Sequence, residues 1–247
     1  MGDPQSFDDF ADAYDRCRTL IDVPTWPMLA ELGVPEGGRA LDVGCGSGHR
    51  AVELAQHVDD VVGIDLSQPL IDIARARRPR SNVDFRCADL QTYRDDAGFD
   101  LIYSANTLHH VVDLPAALDH LRTMIRPAGW VVLTDNVQRT PAWLRWIWRH
   151  GGYHLAAIQD SHRGRREGLR GRWRYYRFQT SRRWVEHMKS DRFLDPGDFE
   201  TTYLAAFPGG AVEHHGLATL VWQAAKRDPV ESDAARTGWH TQGPQPG

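Results

Sequence analysis

Between Arg39 and Asp135 the chain alternates short β-branched apolar runs with stretches whose apolar residues recur every three or four positions. Residues 40–43, 61–65, 83–87, 99–103 and 130–134 read as strands. Residues 47–57, 67–77 and 115–125 read as helices, with Ser47 and Ser67 as N-caps and Pro115 in a first turn. Such alternation means βαβ units, and therefore an α/β fold on a parallel sheet with helices on both faces. Residues 7–20 and 26–32 read as helices capping the sheet's carboxyl edge. After the fifth strand the alternation stops for about 60 residues, so residues 141–194 are expected to be an insertion rather than a second core. Within it residues 143–158 and 182–188 look helical and 164–171 look like a loop. A helix at 196–207 and two runs at 211–215 and 218–225, joined by a short turn, add an antiparallel pair to the core. From Arg227 onward apolar residues are scarce and a disordered tail is expected.

Composition narrows the class. The chain has 247 residues, 41% apolar and 25% charged, the balance of an ordinary globular protein. No apolar stretch approaches the roughly 20 residues of a membrane span, and acidic residues 1–9 lack the apolar segment of a secretory signal. Cys17, Cys45 and Cys87 are odd in number and widely spaced, which predicts neither a disulfide framework nor a metal site. A cytoplasmic protein is expected. The net charge of −4 hides an asymmetry: residues 141–194 carry 12 Arg and 1 Lys against 4 acidic residues. A local positive field of this kind steers anionic ligands, although charge runs also serve simply as solvated faces.

Chemistry-bearing motifs sit at the strand ends. Leu41-Asp42-Val43-Gly44-Cys45-Gly46-Ser47-Gly48 is a strand running into a glycine-rich turn and then a helix. Glycines admit a ligand close to the backbone, and the helix N-terminus offers unpaired N–H groups. Asp65 ends the second strand, where a carboxylate accepts both hydroxyls of a ribose. Asp89, after Ala88 at the end of the third strand, suits an adenine amino group; its plainer reading is a turn former.

These motifs together resemble the class I S-adenosylmethionine-dependent methyltransferases. Phe99–Tyr103 is similar to the family's fourth strand and Leu121–Asp135 to its helix–turn–fifth-strand segment, with Ala128 where the family usually has glycine. A nicotinamide-binding fold fits less well, since Gly44, Gly46 and Gly48 are evenly spaced rather than GxGxxG. The resemblance implies a Rossmann-like, seven-stranded, mostly parallel sheet with an antiparallel C-terminal hairpin and a helical lid insertion, and S-adenosylmethionine as cofactor. Carried over by residue, its cofactor site takes Asp42, Gly44, Cys45 and Gly46 from the glycine-rich turn. Asp65 and Leu66 come from the second strand's end, and Ala88, Asp89 and Leu90 from the third. Ser104 and Ala105 follow on the fourth strand. Phe10, Tyr14 and Asp15 resemble the aromatic-Asp segment that closes over the methionine end, while Phe10 and Tyr14 at i and i+4 also read as a plain apolar helix face.

Asn106-Thr107-Leu108-His109-His110-Val111 follows the fourth strand at the edge where ligands bind in open α/β sheets. An imidazole there can accept a hydroxyl proton as the methyl group moves. In sugar O-methyltransferases that this segment resembles, a His of the Leu-His-His run and an Asp after the fifth strand are base and partner, which implies His109 and Asp135, with His110 as the alternative imidazole. Double-His segments also occur in relatives that methylate nitrogen or carbon, and the alternative for this chain is that His110 packs and His109 only shapes the pocket. Asn106, His109 and the lid residues Trp143, Trp146 and Arg149 are the expected substrate contacts, suited to a flat or anionic small molecule. His187, His214 and His215 stand apart from any Cys or acid cluster in sequence, so no metal site is expected. The function expected is O-methylation of a specialised metabolite, with a homodimer compatible with it. A nucleic-acid methyltransferase using the basic insertion is the rival, and a protein that retains the cofactor without transferring methyl is another.

Overall fold

Residues 40–43 and 61–64 are buried without a break, as strands covered on both sides must be. In the computed structural model, which describes residues 7–20, 24–138, 154, 157–158, 161, 168–215 and 217–226, they are β1 (Arg39–Val43) and β2 (Asp60–Asp65). With β3 (Val83–Cys87), β4 (Phe99–Ala105), β5 (Ile125–Asp135), β6 (Ala211–His215) and β7 (Leu217–Gln223) they form a seven-stranded sheet of order β3-β2-β1-β4-β5-β7-β6. β1 to β5 are parallel neighbours, whereas β7 runs antiparallel between β5 and β6. The chain leaves β1 toward β2 on one side and returns to β4 on the other, so a crevice opens at the carboxyl ends of β1 and β4.

Alternation along the strands builds two cores. Leu41, Val43, Ile102, Val131 and Leu133 face α5 (Leu114–Met124) and α8 (Pro196–Ala206), where Leu118, Leu121, Phe199 and Phe207 are fully buried. Ala40, Val61, Leu101, Tyr103 and Val132 face the other way, toward Trp26 and Leu29 of α2 (Trp26–Glu31), Ala51 and Leu54 of α3 (His49–Leu54), and Ile71 and Ala74 of α4 (Gln68–Arg77). Each such large side chain contributes about 1.5–3 kcal/mol on burial. At the opposite rim from the crevice Arg39 clasps β1 to its neighbours: it bonds Asp60 at 2.9 Å and Asp95 at 2.8 and 2.9 Å, and lies 4.6 Å over the Phe99 ring.

Several boundaries differ from expectation. The helix after the glycine-rich turn starts at His49, because Gly48 holds the cap position at φ +88° and Ser47 does not cap it. Ser67 does cap α4, accepting the N–H of Leu70. β5 begins at Ile125, five residues early, with a register shift against β4 between Phe99 and Leu101. Ala128 lies within it at φ +63°, in the conformation that glycine takes without penalty. Residues 168–171, expected in a loop, open a helix, α6 (Gly168–Gln179), which buries Gly171 and Tyr175 one turn apart. α7 (Arg182–Ser190) follows, capped by Ser181. The N-terminal helix is a short 3-10 turn, Asp8–Phe10, followed by α1 (Ala11–Leu20). Trp143, Trp146, Arg149 and the tail from Arg227 lie outside the described residues. No described helix is long and apolar enough to cross a membrane.

Candidate active site

The turn after β1 is shaped by close approach. Gly44 has φ +70°, and a Cβ there would lie 2.1 Å from Thr107 Oγ1, so only glycine lets the segment after β4 fold over the turn. Around it runs a cleft lined by Tyr14, Arg18, Asp42, Gly44, Cys45, Gly46, Ser47, His49, Arg50, Ala105 and Asn106. Asp42 is 2% exposed, and its Oδ2 accepts no hydrogen bond among the described residues. Burial, opposed by Arg50 and reinforced by Asp65, pushes its carboxyl up to about 7. A buried carboxylate oxygen at a cleft wall, with Arg18 and Arg50 in the same lining, suits a zwitterion: the acid takes an ammonium and the guanidinium groups take a carboxylate. That is the charge pattern of a methionine end.

At the end of β2, Asp65 accepts Gly46 N at 2.8 Å on one oxygen and Ser67 N at 2.9 Å on the other. Each oxygen keeps a lone pair for a ligand hydroxyl, and burial raises the carboxyl above its ordinary value against those two bonds. Leu66 is exposed, Ala88 and Asp89 are half-buried, and Leu90 is in the core. Asp89 Oδ1 accepts Gln91 N at 2.9 Å, the turn-forming bond of its plainer reading, in the loop that follows β3 beside Asp65. Ser104 stands apart from this group: it is buried, and its hydroxyl donates to Val43 O at 3.0 Å, tying β4 to β1.

Tyr14 of α1 reaches the cleft wall, its ring 3.9 Å from where a Gly46 Cβ would be. Phe10 instead packs with Phe178, Trp184 and His187. Asp15 is a clamp: His49, Arg77 and Arg78 converge on its buried carboxylate, holding α1 over α3 and α4. Burial raises its pKa, but the neighbouring Ser47 hydroxyl, the Arg77 bond, Arg78 and His49 prevail and leave it below the ordinary carboxylate value. Arg18, which sequence reasoning missed, follows Tyr14 by four residues and so shares its helix face. That spacing was the available signal.

A second cleft lies past the ends of β4 and β5, lined by Leu108, His109, Val111, Asp135, Asn136, Arg192, Leu194, Phe199 and Tyr203 among others. Here Asp135 Oδ1 is 2.6 Å from His109 Nδ1, while Oδ2 accepts the backbone N–H of His109 at 2.9 Å. Asn136 N donates to Oδ1 at 2.8 Å. These contacts fix the imidazole with Nε2 away from Asp135. Asn136 Nδ2 donates to Asn106 Oδ1 at 2.8 Å, so one amide pair bridges the two clefts, with Asn106 held at φ +54°. Burial, with His109 and His187 alongside, holds His110 down at about 2, uncharged at any ordinary pH. Asp191, just after α7, is a further group that sequence reasoning missed. Its side chain is 2% exposed, and burial, opposed by His109 and reinforced by Asp135, raises it to about 6.

Known proteins resemble this chain in family and fold. The family described as a methyltransferase domain matches residues 41–133. An uncharacterized methyltransferase of Mycobacterium tuberculosis is 31% identical over 206 residues, covering 81% of this chain and 94% of its own. A ubiquinone biosynthesis O-methyltransferase of Coxiella burnetii is 36% identical over 97 residues, 38% of this chain and 42% of that one. Among solved structures, an S-adenosylmethionine-dependent methyltransferase of Aquifex aeolicus superposes with a TM-score of 0.58 at 16% identity, over 91% of this chain and 100% of that one. The glycine-rich crevice, the strand order and a relative matched over nearly its whole length place the chain in the class I S-adenosylmethionine-dependent methyltransferases.

Proposed function

We propose that this methyltransferase acts on an oxygen of a small-molecule acceptor, a specialised metabolite, with His109 as general base and Asp135 as the group that orients it. The observation that carries this is the His109–Asp135 contact of 2.6 Å at a cleft wall. An imidazole whose Nδ1–H donates a hydrogen bond to a carboxylate presents Nε2 as an acceptor. A neutral hydroxyl is a poor nucleophile, and removal of its proton as the new bond forms contributes about 10²–10⁴-fold. The Coxiella relative, named for O-methylation, supports oxygen as the atom methylated.

When bound, S-adenosylmethionine supplies an electrophilic methyl group on a sulfonium. The chain's own residues do the rest. Asp65 takes the ribose hydroxyls, Asp89 the adenine side, Asp42 the ammonium, and Arg18 with Arg50 the carboxylate. Tyr14 covers the methionine end. Asn106 and the lid residues Trp143, Trp146 and Arg149 hold the acceptor, joined by Arg192 at the second cleft, so a flat acceptor carrying negative charge fits best. Leu108, Val111, Phe199 and Tyr203 exclude water beside the base. The setting we assign is cytoplasmic, without a nucleic-acid partner.

The test measures S-adenosylhomocysteine formation against a panel of phenolic, carboxylic and sugar acceptors. His109→Ala lowers kcat by about 10²–10⁴-fold, with cofactor affinity unchanged, and Asp135→Asn lowers it less. His109→Ala turnover within tenfold of the wild type would remove the base, and cofactor binding without any demethylated product would remove methyl transfer itself.

A further inference from the structure

Asp191 is left unexplained by the methyl-transfer reading. Its side chain is 2% exposed, and its Oδ1 accepts no hydrogen bond among the described residues. An ionised carboxylate removed from water without compensating donors costs several kcal/mol. Three imidazoles face it. His110 Nδ1 is 3.6 Å and His187 Nε2 3.8 Å from Oδ1, and His109 Nε2 is 4.0 Å from Oδ2. These distances are too long for hydrogen bonds. They are close to the separation of donors around a shared ion: with bonds of about 2.0–2.1 Å, neighbouring ligands of a tetrahedral site lie about 3.4 Å apart. The ligand atoms of His109, His110 and Asp191 fall within 4.8 Å of one another.

The surroundings agree. A metal-binding histidine characteristically donates its other ring N–H to a carboxylate, which fixes the tautomer and makes the ligating nitrogen more basic. His109 has that arrangement with Asp135. Apolar rings enclose the cluster: Phe193 lies 4.6 Å from the His109 ring, and Phe7 lies 4.4 Å from His187 and 5.9 Å from His110.

We propose that His109, His110 and Asp191, with His187 beside them, form a site for a divalent transition-metal ion of the zinc or cobalt kind. Imidazoles with one carboxylate select such ions over magnesium or calcium, which take sets of oxygens. The ion occupies the Nε2 lone pair of His109 that otherwise accepts the substrate proton, so the loaded site is silent in methyl transfer. That consequence, unlike the binding, rests on the general-base reading above.

The experiment titrates chelator-stripped, full-length protein with Co²⁺ and follows the visible ligand-field bands. One equivalent binds, with intense bands of a low-coordinate nitrogen and oxygen site. Asp191→Asn and His110→Ala each weaken binding at least about 100-fold, and Asp135→Asn, which acts through His109, about 10–100-fold. His214→Gln, on exposed β6, binds as the wild type does. Absence of the bands in the wild type, or unchanged affinity in Asp191→Asn and His110→Ala, overturns the site. If Asp191→Asn does not fold, X-ray absorption of the zinc-loaded wild type decides: two or three imidazoles in the shell support the site and an all-oxygen shell overturns it. Zinc should also abolish methyl transfer, reversibly on chelation. A loaded enzyme that turns over undiminished overturns the silencing and the base role together, while the bands decide the metal site separately.

Discussion

If Asp42 takes the cofactor's ammonium group, as proposed, cofactor binding depends on pH. Its carboxyl is pushed up to about 7 by burial, and its Oδ2 has no donor among the described residues. An ammonium placed against it favours the ionised form, so binding below pH 7 requires loss of a proton. With a pKa near 7 the ionised fraction is about 3% at pH 5.5 and about 75% at pH 7.5, and apparent affinity scales with that fraction, giving roughly a 25-fold weaker Kd at the lower pH. Burial shifts Asp65 in the same direction. Above about pH 8 the ligand's own amino group loses its charge and affinity falls again. Asp42→Asn binds about 10–100-fold more weakly at pH 7.5, from loss of a charged hydrogen bond, and its dependence between pH 5.5 and 7.5 is shallower. Stability moves the other way. A carboxyl whose folded pKa lies above its unfolded 3.8 favours folding in the protonated state, and that advantage is lost as pH rises toward 7. The unliganded Asn variant is therefore more stable than the wild type at pH 8, by about 2–4 kcal/mol. Calorimetry with S-adenosylhomocysteine in buffers of different ionisation enthalpy measures both Kd and the released proton. A wild-type Kd that is flat across pH 5.5–7.5, or a slope identical in Asp42→Asn, refutes the reasoning.

Three further outcomes follow from local geometry. Ala128→Gly removes the penalty of φ +63°, about 1–2 kcal/mol for a residue with a Cβ, partly offset by the entropy of glycine in the unfolded chain; a net gain of roughly 0.5–1 kcal/mol raises Tm by a few degrees in a thermal scan. Gly44→Ala drives its methyl into Thr107, and thermal and binding assays should show loss of at least about 2 kcal/mol together with cofactor affinity. Arg39→Met leaves Asp95 with only the Tyr93 hydroxyl and the Ala97 N–H as donors and lowers stability by about 1–3 kcal/mol at neutral pH. The hydrogen bond from Arg39 holds Asp95 below its ordinary value, so this contribution is present above about pH 4 and is lost as pH falls, and denaturant curves of variant and wild type converge in acid.

The parts of the site that sequence made legible are those carried by the backbone. A strand of Ala40, Leu41 and Val43 leading into Gly44 announces both its burial and its turn, because β-branched residues and glycines act through local sterics. Asp65 stood out in the sequence because it ends a strand, and Asp89 because it follows one by two residues. The lid was not. α6 sets Gly168, Gly171 and four arginines among its aromatic residues, which hides the spacing of Tyr175 and Phe178, the pair that docks on Cys17 and Leu20 of α1. Asp191 had no motif because its partners come from two separate segments: His109 and His110 lie about 80 residues upstream, and only His187 is a neighbour, one helical turn away. Long-range juxtaposition of single polar residues leaves no period and no spacing to read.

The helices of the insertion and the glycine-rich turn share a foundation, and this bears on the order of events. α1 touches both: Tyr14 lines the cofactor cleft and its ring also stacks on Trp184 of α7, 6.3 Å away and inclined by 27°. Asp15 on the same helix is clamped to α3 and α4, and Arg183 of α7 pairs with Asp9 just before α1. A ligand that orders Tyr14 therefore also braces α7, and α7 carries His187 and leads into Asp191 and Arg192 at the second cleft. On the proposed assignment of the two clefts, these packed rings are the route by which cofactor binding would reach the acceptor side. The expected consequence is that Trp184→Ala weakens acceptor binding more than cofactor binding, read as KM against Kd, because the cofactor retains Asp42, Asp65 and the glycine-rich turn while the acceptor cleft loses the brace behind Arg192. Equal losses for the two ligands would show that α1 and α7 stabilise the fold without coupling the clefts.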